Sequence, residues 1–257
     1  MIDKYLEAEY NNRAKVPGHP AVIAAWVRDA AAFRDGASHA EFDVPYGPSA
    51  RQAMDVFWPG SARDGRLAMF IHGGYWQGLD KSYMSHMARG LLAHGIAVAV
   101  PGYDLCPRVQ LADIVDQIAA AARLLIALHG RLDVATGHSA GGHLAAMLLA
   151  GGLVPAAVPI SGLFDLRPLV ATSINGALGL DDAEAWRLSP MGCPRPAGRL
   201  HALVGGDEGI EYETQSRRIA EAWGGQWESV KGHDHFTIPD ELARPDGRVT
   251  AAVCGVL

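Results

Sequence analysis

Ser139 is the residue around which a reaction could be built. It stands in Thr136-Gly137-His138-Ser139-Ala140-Gly141-Gly142-His143, a Gly-x-Ser-x-Gly pattern. Residues 132–136 suit a short buried strand and residues 144–150 suit a helix, so the serine falls on a strand-to-helix bend. That context turns a weak pattern into a nucleophile elbow. The bend is so tight that side chains two positions either side of the serine would collide, and Gly137 and Gly141 remove the collision. The serine hydroxyl is then exposed, and the next amide lies at a helix N-terminus.

A serine hydroxyl is a poor nucleophile near neutral pH. It needs a base to take its proton, and the base needs an acid to fix its tautomer. On such an elbow the chain order is serine, acid, histidine. Four histidines follow Ser139: His143, His201, His233 and His235. His143 lies one turn along the elbow helix and is expected to pack; His201 lies inside a strand. His233 and His235, in Gly232-His233-Asp234-His235-Phe236, directly follow the last predicted strand, where the base belongs. Spacing alone does not choose between them. The acid belongs just past the predicted strand 200–204, where Asp207 and Glu208 are both candidates. His-x-His could suggest a metal, but no matching ligand cluster stands nearby, and neither metal nor cofactor is expected.

Negative charge developing on a carbonyl oxygen needs backbone amides aimed at it. The Ala140 amide is one candidate. Gly73 and Gly74, in His72-Gly73-Gly74-Tyr75-Trp76 after the apolar run Leu67–Ile71, are the others, with the Tyr75 amide a third possibility. His72 is expected to be a structural hydrogen-bonder.

The elements that must position these groups alternate along the chain. Residues 1–40 read as a helical N-terminal arm, with a helix starting at Pro20 and ending near Gly36. Val22, Trp26 and Phe33 lie at roughly helical spacing along it; core packing is their default role, with a lid over the active site as the alternative. Two hairpin-like strands follow at 41–44 and 52–58. Then come the strand Leu67–Ile71, a helix at about 81–94, a strand at 96–100 and a long helix at about 109–129. After the elbow come the strand Ala156–Ile160, a turn and short helix to 170, and a Gly- and Pro-rich stretch at 171–198 that reads as an insertion near the site. A strand at 200–204, a helix at about 211–223, the strand Gln226–Val230 and a helix near 247–254 complete the chain. Alternation of this kind predicts an α/β fold: a mostly parallel eight-stranded sheet with helices on both faces, in one domain spanning 1–257.

Composition bounds the function. Of 257 residues, 49% are hydrophobic and 19% charged, as expected of a globular domain. The net charge of −6 and scattered basic residues point away from nucleic acid and anionic membranes. Cys106, Cys193 and Cys254 are odd in number and far apart, which fits a reducing, cytoplasmic setting. No transmembrane or apolar signal segment is apparent. Oligomeric state is not legible.

The chain resembles the α/β-hydrolases of the esterase/lipase group, and within them the kynurenine formamidase (arylformamidase) family. The likeness runs from about residue 50 to 236. It rests on His72-Gly73-Gly74-Tyr75-Trp76, on Tyr103-Asp104-Leu105-Cys106-Pro107 and on Gly137-His138-Ser139-Ala140-Gly141-Gly142-His143-Leu144. It rests also on Ser161-Gly162-Leu163-Phe164-Asp165-Leu166-Arg167-Pro168-Leu169 and on His235-Phe236. The resemblance implies His235 as the base, because the family's histidine precedes a phenylalanine. It implies Glu208 as the acid, counting back from Glu211-Tyr212 and Gln215-Ser216. The family more often has aspartate there. The implied reaction is acyl transfer from a small-molecule amide or ester, formyl or acetyl on an aryl group. Tyr75 and Trp76 are then candidates to stack on the substrate ring, with packing against the arm as the alternative.

Overall fold

The computed structural model describes residues 2–61 and 65–257. Eight strands form one sheet: β1 (Ala40–Pro45), β2 (Ala53–Phe57), β3 (Leu67–Ile71), β4 (Ala97–Pro101), β5 (Val134–His138), β6 (Ala156–Ile160), β7 (Arg199–Gly205) and β8 (Gln226–Val230). Their order is β1-β2-β4-β3-β5-β6-β7-β8. β2 runs antiparallel to both β1 and β4, and every other pair is parallel. This is the α/β-hydrolase architecture expected from the sequence.

The helices are α1 (Lys4–Tyr10), α2 (Asn12–Lys15), α3 (His19–Asp35), α4 (Ala88–Ala93), α5 (Leu111–His129), α6 (Ala140–Ala150), α7 (Arg167–Val170), α8 (Asn175–Leu178), α9 (Asp182–Arg187), α10 (Ile210–Trp223), α11 (Asp240–Ala243) and α12 (Arg248–Gly255). Alternate residues of each central strand point to opposite faces. Met69, Ile71, Ala97 and Ala99 pack on the side of α5, α6 and α10. Ala68, Phe70, Val98 and Val100 pack on the side of α3, α4 and α12. Both faces are therefore covered, which is why these strands read as unbroken apolar runs. No helix among the described residues is long and apolar enough to cross a membrane.

Most boundaries lie within one or two residues of the sequence reading, and two differences bear on the fold. The helix expected at 81–94 is two 3-10 turns, Lys81–Tyr83 and Ser85–Met87, followed by α4. Met84 departs from helical geometry at φ −128°, while Lys81 is tied to Asp43 and Asp55. The strand before the elbow begins at Val134 rather than 132. The Asp133 carboxylate is occupied by the Leu67 amide at 2.8 Å and by Arg131.

Asp55 on β2 is fully buried and carries a polar knot that crosses layers. It accepts from Lys81 Nζ at 2.6 Å, from the Asp43 amide at 3.0 Å and from Arg34 of α3. A buried ion pair costs more to break by halves than to make, because the surviving charge is left without its partner. Lys81→Met is expected to lower stability by about 3 kcal/mol. A urea titration reads this as a lower midpoint at unchanged slope.

Candidate active site

The candidate groups collect at the C-terminal ends of β3, β5, β7 and β8, where ligands bind in open α/β sheets. Ser139 follows β5 directly. Its φ of 57° and ψ of −116° lie in a region that non-glycine residues avoid at a cost of roughly 1–3 kcal/mol. The surroundings over-determine that conformation. The Ser139 amide donates to the Ile160 carbonyl at 2.8 Å, and its own carbonyl accepts the His143 amide that opens α6. A Cβ on Gly141 would lie 2.0 Å from the Ile71 carbonyl oxygen, and one on Gly137 would lie 2.4 Å from that of Gly141. No other residue type fits either place.

The loop after β3 approaches the serine equally closely. A Cβ on Gly73 would lie 3.1 Å from Ser139 Cβ and 2.8 Å from the His138 carbonyl oxygen. Tyr103, buried beneath, donates to the carbonyls of His72 at 2.8 Å and Gly73 at 3.3 Å. In a trans peptide the following amide points the opposite way. The Gly73 and Gly74 amides are therefore turned away from Tyr103. His72 is wholly buried, stacked on Tyr103 with ring centroids 4.2 Å apart, and burial pushes it down to about 4, so it stays neutral. Ala140 is the first residue of α6.

Of the two acids, Glu208 reaches the histidine. Its Oε2 lies 2.6 Å from His235 Nδ1, and both side chains are buried. Asp207, its neighbour, points to solvent. Of the two histidines, His235 faces inward, its ring packed 4.7 Å from that of His138 and 4.8 Å from that of Tyr212. His233 turns toward α11, 3.5 Å from Glu241. Glu208→Ala is accordingly expected to lower kcat by about four orders of magnitude, as loss of the acid does in serine proteases. Asp207→Ala should leave kcat within a few-fold, and steady-state rates of the two variants check the order.

Ser139, His138 and His235 open onto one cavity of about 320 Å³. Its walls are apolar at Ile23, Trp26, Leu79, Ile174 and Phe236, and polar at Asn11, Asn12, Arg13, Gln77 and Ser173. Gly74 and Tyr75 also line it. The Tyr75 phenol is pinned between the Tyr10 carbonyl at 2.5 Å and the Tyr212 hydroxyl at 2.6 Å, so its ring is a fixed wall. Trp76 corrects the sequence reading. It is fully buried in the core, edge-on to His143 at 5.1 Å, and does not border the cavity. Its carbonyl accepts the Cys106 amide at 2.8 Å, and its φ of 57° lies in the left-handed region.

Three contributors were missed by the sequence reading. Trp26 and Ile23 lie on a helical stripe indistinguishable from core packing. Asn11 to Arg13 belong to an arm with no motif. His138 could have been noticed, since it sits inside the elbow itself; burial holds its imidazole well below the ordinary histidine range, and the nearby His235 acts in the same direction.

Known proteins resemble the chain throughout. A family model described as BD-FAE matches residues 54–153. A kynurenine formamidase of Salmo salar is 30% identical over 239 residues, covering 84% of this chain and 81% of that one. The chain belongs to the kynurenine formamidase family. The Danio rerio kynurenine formamidase is 29% identical over 222 residues, 78% of this chain and 76% of its own length. Among solved structures, a protein of Silicibacter sp. TM1040 crystallised as a candidate thioesterase is 34% identical, with a TM-score of 0.90 and coverage of 97% of this chain and 98% of that one. Esterase B of Lactobacillus rhamnosis, at 19% identity and a TM-score of 0.71 over 96% of this chain and 94% of its own, shares the fold.

Proposed function

We propose that this protein is a serine hydrolase that removes a small acyl group, formyl or acetyl, from an aryl amide or ester, with an N-formylkynurenine-type arylformamide as preferred substrate. One observation carries the reading: Ser139, on a strained bend, opens onto the same cavity as a histidine whose Nδ1 lies 2.6 Å from a buried carboxylate. The name of the Salmo salar relative supports the formamide over other acyl groups.

In this mechanism Glu208 accepts from Nδ1–H of His235, which leaves the Nε2 lone pair facing the serine. Ser139 Oγ attacks the acyl carbon as Nε2 takes its proton. The carbonyl π-electrons move to oxygen, which the amides of Gly73, Gly74 and Ala140 stabilise. Collapse re-forms the carbonyl and expels the aryl amine or alcohol, which takes the proton from Nε2. Water then attacks the acyl-serine with the same base, releasing formate or acetate and restoring Ser139. His72 and His138 stay neutral throughout, so neither competes as a charged partner.

A cavity of about 320 Å³ accommodates a single substituted ring rather than a long chain. The apolar walls suit the ring. Arg13, at the polar side, has no ion-pair partner among the described residues and is suited to a carboxylate on the leaving group. Parallel turnover of N-formylkynurenine, a neutral N-formylaniline and a short-chain aryl ester tests the reading. The carboxylate-bearing formamide should have the highest kcat/KM. Arg13→Gln should raise its KM about tenfold, the worth of a charged hydrogen bond, and leave the neutral formamide unaffected. A formamide rate far below the ester rate would instead favour a general short-chain carboxylesterase.

A further inference from the structure

Glu208 is held by more than the histidine. Its Oε1 accepts the Gly205 amide at 2.6 Å and the hydroxyl of Ser161. Ser161 comes from another part of the chain, immediately past β6, where its amide donates to the Leu203 carbonyl at 2.7 Å. It is fully buried, and its φ of 50° lies in the left-handed region. The backbone at this point would be served better by glycine, which adopts such angles without strain. A serine here therefore carries a backbone cost and a buried hydroxyl, and the acceptor of that hydroxyl is the carboxylate facing His235.

We propose that Ser161 is a positioning residue of the active site, its hydroxyl and the Gly205 amide together holding one oxygen of Glu208 so that the other faces His235 Nδ1. The inference rests on the serine-hydrolase reading above. A glutamate has one more rotatable bond than an aspartate, and a buried carboxylate free to turn would meet His235 only part of the time. Two donors on Oε1 fix that last torsion. They also draw charge from the carboxylate, which moderates its pull on the imidazole proton. The other groups nearby come from separate elements: Lys15 Nζ on the Glu208 carbonyl at 3.1 Å, the Tyr75 and Tyr212 phenols, and the His138 ring against His235. Replacing Ser161 leaves all of these in place.

The test uses Ser161→Ala and Ser161→Gly, each alone and combined with Glu208→Gln, assayed on an aryl ester that the wild type hydrolyses. The glycine variant suits the backbone, so it separates loss of the hydroxyl from misfolding; its melting temperature should equal or exceed that of the wild type. Both single variants should lower kcat roughly ten- to a hundredfold with KM little changed, the scale of a lost hydrogen bond to a charged group. In the Glu208→Gln background the same substitutions should have almost no further effect, since they act through that carboxylate. Wild-type kcat in Ser161→Gly, or an equal loss with and without Glu208→Gln, would overturn the positioning role. A wild type inert toward every acyl substrate would instead remove the hydrolase reading on which it stands.

Discussion

Ser139→Ala should abolish turnover, with kcat lower by on the order of a millionfold. The bend itself survives the substitution. Alanine keeps the Cβ, and the amide of residue 139 still donates to the Ile160 carbonyl. Far-ultraviolet circular dichroism and melting should therefore match the wild type. What disappears is the atom proposed to attack the carbonyl. The amides after β3 and at the start of α6 would still bind the substrate oxygen, so a small residual acceleration over water is expected, supplied by hydrogen bonding alone. KM should change little, because the ring contacts come from the cavity walls. A variant that kept even a tenth of the wild-type rate would show that another group performs the attack.

His235→Ala should be nearly as damaging, with kcat lower by roughly five to six orders of magnitude. His233→Ala should keep kcat within a few-fold. The two residues are separated by one position, yet their surroundings are opposite. His235 is buried with Nδ1 on Glu208; His233 is a quarter exposed and lies beside Glu241. In the proposed mechanism, without the His235 imidazole the serine proton has nowhere to go and the leaving amine has no donor. Loss of the Nδ1–H donor also leaves Oε2 of the buried Glu208 without its partner, so a drop in stability should accompany the loss of rate. Rates for both variants, read beside their melting curves, separate these effects. A larger loss in the His233 variant would reverse the assignment of the base.

The parts of the fold legible in the sequence are those where one residue type is demanded by local geometry. The elbow was readable because a Cβ at Gly137 or Gly141 would lie 2.4 or 2.0 Å from a backbone oxygen, and a compelled glycine leaves a spacing. The strands Leu67–Ile71 and Ala156–Ile160 were readable because both of their faces are buried. What was not legible depends on packing between distant segments. Whether Tyr75 or Trp76 faces the cavity is decided by positive φ angles at both positions and by contacts with Tyr10, Tyr212 and Cys106. No local pattern encodes those contacts. The role of the arm is similar: Asn12 bridges to Tyr212 across 200 positions at 2.8 Å, and α1 meets the 171–198 stretch through Glu7 and Ser173. Choosing Glu208 over Asp207 needed the family likeness, because two adjacent acids on a loop carry no sign of which one turns inward.

The most direct measurement is covalent capture of the nucleophile. The protein is treated with an aryl fluorophosphonate, digested, and the modified peptide located by mass. One label per chain on Ser139 is the predicted result, with labelling lost in Ser139→Ala and strongly slowed in His235→Ala. Efficient hydrolysis of an acyl substrate by protein that takes no label at Ser139, or takes it on another residue, would contradict the central claim.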